Sequence, residues 1–562
     1  MTRFLIAFLV CCAFSNVQAQ KVLKENLTRP DKMYYDFRKK QLLSTGAYYK
    51  DDLGETNKEH GEWKYYSKDG KLEEVRNYYK GKLHGQVLKY WGNEKLNQEG
   101  YFVLDQLDSV YREWAESGKL QTEGYYKKDQ KVGLWKSFYL DGKPRMIEEF
   151  IDTTRYVKAF WSPDSVQTVV NGNGEMINRY LDNNIKEIYH FKNGLEDGAF
   201  IEYKINGDTA VCGAYNQGLK IGEWRQFFYN GKIEKIANYK NNLLDGRYQL
   251  FYDNGKPRTT GFYKDGKKNN QWIWYAINGA FDMKGEFVDD KQHGNWTYFY
   301  PDGKVSYTAQ YKMDKKDGTW NYFYRNGAKF KVGTFKDDEK DGNWKTWYED
   351  GKLLMDGNYI QGKEEGEWLN YWDNGNIKNK ATFKAGKLNG AWVSFNQNGK
   401  TMVSGEYKNG LKVKTWYEYF DKGSLKTVET FKIKKIKSKV KYGPMKGQVT
   451  YASVREGLYE AYSQKDFKKT ESGTYKDDKK SGTWLAYYPG GKIVAVLSQY
   501  KDGKLTGFMR QFDQRGNIIN ETQYKEGVKH GTMKIFDKKG KVSKQKDFEY
   551  GEEKKQNLIP KH

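Results

Sequence analysis

The chain has 562 residues and a net charge of +24, with 37% hydrophobic residues but 17% aromatic ones (17 Trp, 47 Tyr, 29 Phe). So little aliphatic material excludes several deep cores, and so many rings exclude a disordered chain; the balance suits thin, half-exposed β layers. Cys11 and Cys12 fall in a segment expected to be removed, so Cys212 stands alone and a disulfide scaffold is excluded, as is a multispanning membrane protein for want of a second long apolar run.

Met1–Gln20 places Arg3 before an apolar run from Phe4 to Phe14, followed by the small-residue site Val17-Gln18-Ala19. This is the layout of a secretory signal peptide, with cleavage expected after Ala19. A transmembrane anchor is the bland alternative, but the run is too short to cross ~30 Å of hydrocarbon as a helix. A lipoprotein signal using Cys11 or Cys12 is the other, and the small residue it needs before the cysteine is missing. The expected location is therefore outside the cytoplasm, in the periplasm or on the outer cell surface.

Beyond this segment the chain repeats. GEWKYYSKDGK from Gly61, GEWRQFFYNGK from Gly222, GNWTYFYPDGK from Gly294, GNWKTWYEDGK from Gly342 and GTWLAYYPGGK from Gly482 align. The leading position recurs in steps of 24 residues from 198 to 414, with Asn270 and Lys414 replacing glycine; the same step links 61, 85, 109 and 133, and 507 with 531. About nineteen units are counted. The register breaks twice. The expected organisation is a signal peptide (1–19), an N-terminal segment with a degenerate first repeat (20–60), repeats (61–149), an irregular insert (150–173), repeats (174–430), a Lys-rich insert (431–456), repeats (457–551) and a tail (552–562).

Each unit has the same grammar. Tryptophan stands two residues after the leading position, at Trp63, Trp135, Trp224, Trp272, Trp296, Trp320, Trp344, Trp368, Trp392, Trp416 and Trp484. A second ring follows three residues later, then Asp-Gly or Asn-Gly, as at Asp302-Gly303 and Asn326-Gly327, and then a second strand ending in Tyr or Phe. Asp-Gly and Asn-Gly between ring-rich runs point to hairpins closed by type I′ turns. No helix-period stripe competes with this alternation. A lone hairpin is marginal in water, so the units must stack. The expected fold is all-β: an elongated ribbon of stacked antiparallel β-hairpins, about 24 residues per repeat and on the order of 180 Å long at ~4.8 Å per strand.

The spacing, the G-x-W-x-x-Y/F-Y pattern and the N/D-G-K turns resemble the MORN-repeat-variant family, which includes YwqK-type antitoxin components. The resemblance runs from about Phe37 to Gly551. It implies a non-catalytic binding scaffold with a protein or lipid partner, or a toxin partner for the antitoxin type. The export signal and the large number of units depart from the short cytoplasmic antitoxin type.

Residues with catalytic potential are few. His60, His84, His293 and His530 share one slot just before a leading residue, and successive slots lie ~10 Å or more apart, too far to converge on a metal. Asp289-Asp290, Asp337-Asp338 and Glu364-Glu365 read as solvated turn residues rather than a glycosidase pair. Asn171-Gly172-Asn173-Gly174 lacks the Lys-Ser/Thr of a phosphate loop. No catalytic residue, metal ligand or cofactor is assigned.

Basic charge is the remaining asymmetry. Part of it is the lysine after each turn glycine (Lys71, Lys143, Lys232, Lys256, Lys304, Lys352, Lys400, Lys492), which also suits protection of sheet edges. The denser run holds Lys432, Lys434, Lys435, Lys437, Lys439 and Lys441, expected to lie outside the repeat grammar and to present a cationic stripe to an anionic ligand. The function expected is that of an exported scaffold binding a macromolecule along an aromatic and basic surface. The partner would be a protein, an anionic lipid headgroup or an acidic glycan, or a second copy of the chain through self-association. Nucleic acid fits the charge, but export argues against it. An antitoxin is the second reading and a cell-wall or glycan hydrolase the third.

Overall fold

The computed structural model describes residues 26–437 and 448–554; the expected signal peptide lies outside them. The fold is all-β, with 44 strands and no α-helix among the described residues. The chain divides into two compact units, Met1–Lys267 and Lys268–His562. Within each, strands of about nine and eight residues alternate. Leu219–Phe227, Ile233–Lys240 and Leu243–Phe251 follow one another in the first unit, and Glu339–Trp347, Leu353–Ile360 and Lys363–Tyr371 in the second. Each pairs antiparallel with the next in sequence, so every repeat is a hairpin hydrogen-bonded to the following hairpin.

The turns differ from the expectation. At Asp302-Gly303 only the glycine has a positive φ, 85°. Gly303 N–H donates to the Tyr300 carbonyl at 2.8 Å, and Tyr300 N–H donates to the Lys304 carbonyl at 2.7 Å. The register slips beside the turn, between Tyr298 and Phe299. This is a three-residue loop closed by a left-handed glycine. It accommodates Pro301, whose ring fixes a negative φ. Two consecutive positive φ values, the mark of type I′, occur between repeats instead: 49° and 69° at Asp289-Asp290, 48° and 73° at Asp337-Asp338, and 50° and 67° at Asn241-Asn242. Aspartate and asparagine enter this region more readily than bulkier side chains.

The leading residue is a second left-handed position. Gly294, Gly318 and Gly342 have φ of 67°, 106° and 80°, and the replacements Ser109, Asn270 and Lys414 are held there too, at 91°, 60° and 58°. Across this point Lys284 pairs with Thr297 and Glu286 with His293, so two residues of one strand are spanned by four of the other. The bulge lays Trp296 over Gly285 of the preceding strand. The leading position thus favours glycine for backbone reasons, and three repeats hold another residue there.

The segment expected as an irregular insert carries Thr154–Trp161 and the short strand Gln167–Val170. Here Val157, Phe160, Val169, Met176 and Phe191 form an aliphatic and aromatic core, with Met146 and Tyr189 packed against it.

Candidate functional site

The repeat tryptophans form a ladder. All but Trp392 are buried, Trp296 and Trp344 at 1% exposure. Phe335 stands edge-on between Trp320 (5.2 Å) and Trp344 (5.1 Å), and Tyr359 between Trp344 (6.0 Å) and Trp368 (5.0 Å). The indole N–H of Trp344 donates to the Thr334 carbonyl at 3.1 Å and that of Trp484 to the Thr474 carbonyl at 3.1 Å. From Trp135 onward each ring lies on a small residue eleven positions earlier, while Trp63 lies on Gly46. A Cβ built on Gly285, Gly333 or Gly357 would stand 2.1–2.3 Å from the ring of Trp296, Trp344 or Trp368. Ala237, Ala309 and Ala381, equally buried, fill the same slot elsewhere. These rings are core, so the aromatic part of the expected binding surface does not come from them.

A lysine two residues before the leading position caps the ladder. Lys340 lies 4.7 Å from the Trp344 ring and 4.6 Å from Tyr359; Lys412 lies 4.2 Å from Trp416 and 5.3 Å from Phe431; Lys480 lies 3.8 Å from Trp484. In the first unit Lys220 sits 4.2 Å from Trp224, and burial, then Lys235, holds its ammonium below the ordinary range. Such contacts are worth ~0.5–1 kcal/mol at exposed sites. Sequence reasoning missed both the small residue and this lysine, although each recurs on the 24-residue step.

Both edges of the hairpins are clasped. At the Asp-Gly and Asn-Gly edge, Tyr300 Oη donates to the Phe323 carbonyl at 2.7 Å, Tyr324 Oη to Trp347 at 2.8 Å and Tyr348 Oη to Tyr371 at 2.9 Å. The turn lysines join in: Lys71 Nζ donates to the Gly92 carbonyl (2.6 Å), Lys232 to Asn254 (3.0 Å) and Lys352 to Asp373 (2.8 Å). At the inter-repeat edge the turn aspartates, read as solvated, accept backbone hydrogen bonds. Asp290 takes the N–H of Lys268, Asp314 that of Gln292 and Asp338 that of Lys316, at 2.7–2.8 Å.

One stretch of the inter-repeat edge, in the second unit, opens into a cavity of 1040 Å³. Lys363, Lys384, Ala385, Lys387, Lys408, Asn409 and Leu411 line it from three successive repeats, and Ile433, Thr450 and Tyr451 from the hairpin that follows. That hairpin pairs Leu425–Lys437 with Val449–Tyr462. None of the four lysines forms an ion pair with a described residue. The turns here carry Gln361-Gly362, Ala385-Gly386 and Asn409-Gly410, whereas the preceding turns carry Asp289-Asp290, Asp314 and Asp337-Asp338. A neighbouring cleft of 530 Å³ is lined by Lys336 together with Asp337, Glu339 and Asp341, so the loss of acids is local.

The family described as MORN repeat variant matches nine segments: 59–80, 107–128, 131–152, 220–241, 244–265, 292–313, 340–361, 364–385 and 388–409. The chain belongs to the MORN-repeat-variant family. No curated protein matches it. Among solved structures, a TcdB2–TccC3–Cdc42 complex is 10% identical over 92% of this chain and 32% of the other, with a TM-score of 0.12. A Tc holotoxin pore from Photorhabdus luminescens is 9% identical over 86% and 27%, with a TM-score of 0.13. The chain spans about a third of the length of those chains, and similarity this low carries no argument about fold or function.

Set on the MORN repeats, the expected lysine stripe resolves into parts. Lys432 occupies the repeat slot of Lys384 and Lys408, two steps and one step of 24 residues earlier, and so lies inside the repeat grammar. It pairs with Glu456 and Lys434 with Asp477, both at 2.5 Å. The pairing from Phe431 to Lys437 runs without a slip. Lys435 and Lys437 therefore share the hairpin face of Ile433 and Tyr451, opposite to Lys432 and Lys434. Lys439 and Lys441 lie outside the described residues. Of the histidines, His60 is 2% exposed, and its Nδ1 accepts the Lys80 N–H at 3.0 Å. His190 Nε2 lies 3.3 Å from Glu175. Among the described residues no group of three His, Cys, Asp or Glu could hold a metal ion.

Proposed function

We propose that this MORN-repeat-variant chain is an exported, non-catalytic scaffold that holds an anionic macromolecular partner along its inter-repeat edge. The observation that carries the reading is a lysine at the last strand position before the inter-repeat turn. It recurs in 24-residue steps as Lys240 and Lys264 in the first unit and as Lys312, Lys336, Lys384 and Lys408 in the second, exposed throughout. The rings are occupied with one another, and turn lysines such as Lys71, Lys232 and Lys352 on the opposite edge are tied to neighbouring carbonyls, so this edge is the better placed to meet a partner. Periodic charge on a repeat scaffold favours an extended partner, because each repeat adds a further contact at fixed spacing.

The test is retention of envelope components by the immobilised chain lacking residues 1–19, at about 0.05 M and 0.5 M salt. The expected result is a retained partner released by salt, since the Debye length shrinks well below 10 Å over this range. Replacing Lys240, Lys264, Lys312 and Lys336 by glutamine should weaken retention. Salt-insensitive retention unchanged by these substitutions would refute the edge as the binding surface. Fractionation that finds an intact Met1 on a cytoplasmic protein would refute export.

A further inference from the structure

Resting on that reading, we propose that the cavity of the second unit is a binding site for an acidic polysaccharide, with lysines for its carboxylates and Tyr451 for the apolar face of a sugar ring. Lys384 and Lys387 face each other directly across the Ala385-Gly386 turn. Like charges in this arrangement repel. Three repeats earlier the equivalent pair, Lys312 and Lys315, is relieved by Asp337, which lies 3.0 Å from the Lys315 ammonium. The residue equivalent to Asp337 at the cavity is Asn409, an uncharged wall residue. Two carboxylates remain beside this turn, neither in an ion pair with these lysines: Glu365 accepts the Ala385 N–H at 2.8 Å, and Glu364 stands against Gly386. The site is thus a set of ammonium groups without an ion-pair partner among the described residues, and an external anion supplies the counter-charge.

The ligand class follows from shape and spacing. Equivalent lysines of successive repeats, Lys363 and Lys387 or Lys384 and Lys408, are two strands apart, ~10 Å. That period suits a polyuronate in which the carboxylate of every second sugar meets a lysine of the next repeat. Tyr451 is 58% exposed and projects from the flanking hairpin, as a stacking platform requires. The 1040 Å³ volume lies just above the ~300–1,000 Å³ of ordinary small-ligand sites, enough for several sugar rings. A flat lipid surface would meet only the rim of a cleft walled on one side by turns and on the other by a hairpin.

Calorimetric titration of polygalacturonate into the chain lacking residues 1–19 tests this. Asn409→Asp restores the missing carboxylate at a left-handed position where aspartate already stands in other repeats, so folding is unaffected, and binding should fall about tenfold, the equivalent of ~1.4 kcal/mol. Lys384→Gln with Lys387→Gln should lower affinity about 30-fold while thermal stability holds or rises, taking ~1 kcal/mol for each lysine. Tyr451→Ala should lower affinity for the polymer and leave its salt dependence intact. Lys71→Gln with Lys232→Gln, at the opposite edge, should bind as wild type. Polymer binding insensitive to Asn409→Asp and to the Lys384/Lys387 pair would overturn the cavity as the site while leaving the lysine edge standing. Tight binding to phosphatidylglycerol vesicles with none to polygalacturonate would overturn the saccharide. Binding to neither would overturn this inference; retention of an acidic protein in the envelope assay would still support the scaffold.

Discussion

Gly285→Ala tests the ring ladder where it is tightest. The new Cβ would lie 2.1 Å from Cδ2 and 2.3 Å from Cε2 of Trp296, well inside van der Waals contact. The indole would have to move by more than an ångström, and its surroundings oppose this. Trp296 is 1% exposed, lies 5.2 Å from Phe287, 5.8 Å from Trp274 and 6.0 Å from Tyr311, and donates its N–H to the Glu286 carbonyl at 3.2 Å. Overpacking of this kind costs ~1–3 kcal/mol, and loss of the indole hydrogen bond adds ~0.5–1.5 kcal/mol. Removing the ring in Trp296→Ala should cost ~3–5 kcal/mol. Gly285→Ala on that background should cost almost nothing, because the clash has gone. The coupling between the two sites should then approach the full cost of the single glycine substitution. In a linear stack stability is set by neighbouring interfaces. Amide exchange should therefore accelerate in Phe281–Val288, Lys291–Phe299 and Val305–Lys312 and remain unchanged beyond about 342. Limited proteolysis should begin in the same interval. Wild-type exchange in Gly285→Ala, or equal cost with and without the Trp296 ring, would refute the ring-on-glycine contact as the determinant of the repeat.

Two further predictions concern titration and turns. His60 is held below its ordinary value of 6.5 by burial and then by the charge of Lys80. The unfolded chain therefore binds the extra proton first, and its contribution to stability is complete above 6.5 and lost as pH falls below it. Amide protection near residues 60 and 80, taken relative to the intrinsic exchange rate at each pH, should fall between pH 7.5 and 5, and His60→Gln should flatten the profile; an unaltered slope would exclude His60. Asp338→Ala leaves the Lys316 N–H without its 2.8 Å partner and should cost ~1 kcal/mol in thermal unfolding, whereas Asp338→Asn should keep most of that stability. Equal losses in the two variants would show that the carboxylate bond is not what holds the turn.

The hairpin fold was legible because a 24-residue period repeats ring, turn and ring with little noise, and stacking is the one way such units bury their rings. Trp296 and its equivalents could be read as structural from their spacing alone. The turn type could not. An Asp-Gly dipeptide suits both a type I′ turn and a loop closed by a left-handed glycine, and at Asp302-Gly303 the flanking bulge, which no local composition reveals, decides for the second. Asp337-Asp338 looked like a solvated pair because the Lys316 N–H that Asp338 accepts comes from the preceding repeat. The lysine run at 432–441 drew attention by density, yet density takes no account of counter-charges: Glu456 and Asp477 are remote in sequence from the ammonium groups they meet. The less conspicuous Lys384 and Lys387 mark the open cavity because Asn409 stands where an aspartate stands in another repeat. That signal was present in the period and visible only when equivalent turns are compared for what they lack.

The clasps along the two edges bear on how such a chain changes length. Tyr300 reaches the carbonyl of Phe323, Tyr324 that of Trp347 and Tyr348 that of Tyr371, one bond carried forward by a fixed stride. Excising 318–341 would bring the Trp347 carbonyl to the place of Phe323, and Tyr300 would find the same acceptor. Duplication of such a block is equally conservative, since every donor meets a copy of its former partner. A loss of 23 residues would instead put the strands at the junction one residue out of register and leave the clasp that spans it without its mate. Copying or losing whole strides in the gene is thus the inexpensive route by which a lineage lengthens or shortens this protein, and turns such as Asn409-Gly410 can diverge individually without disturbing the rest.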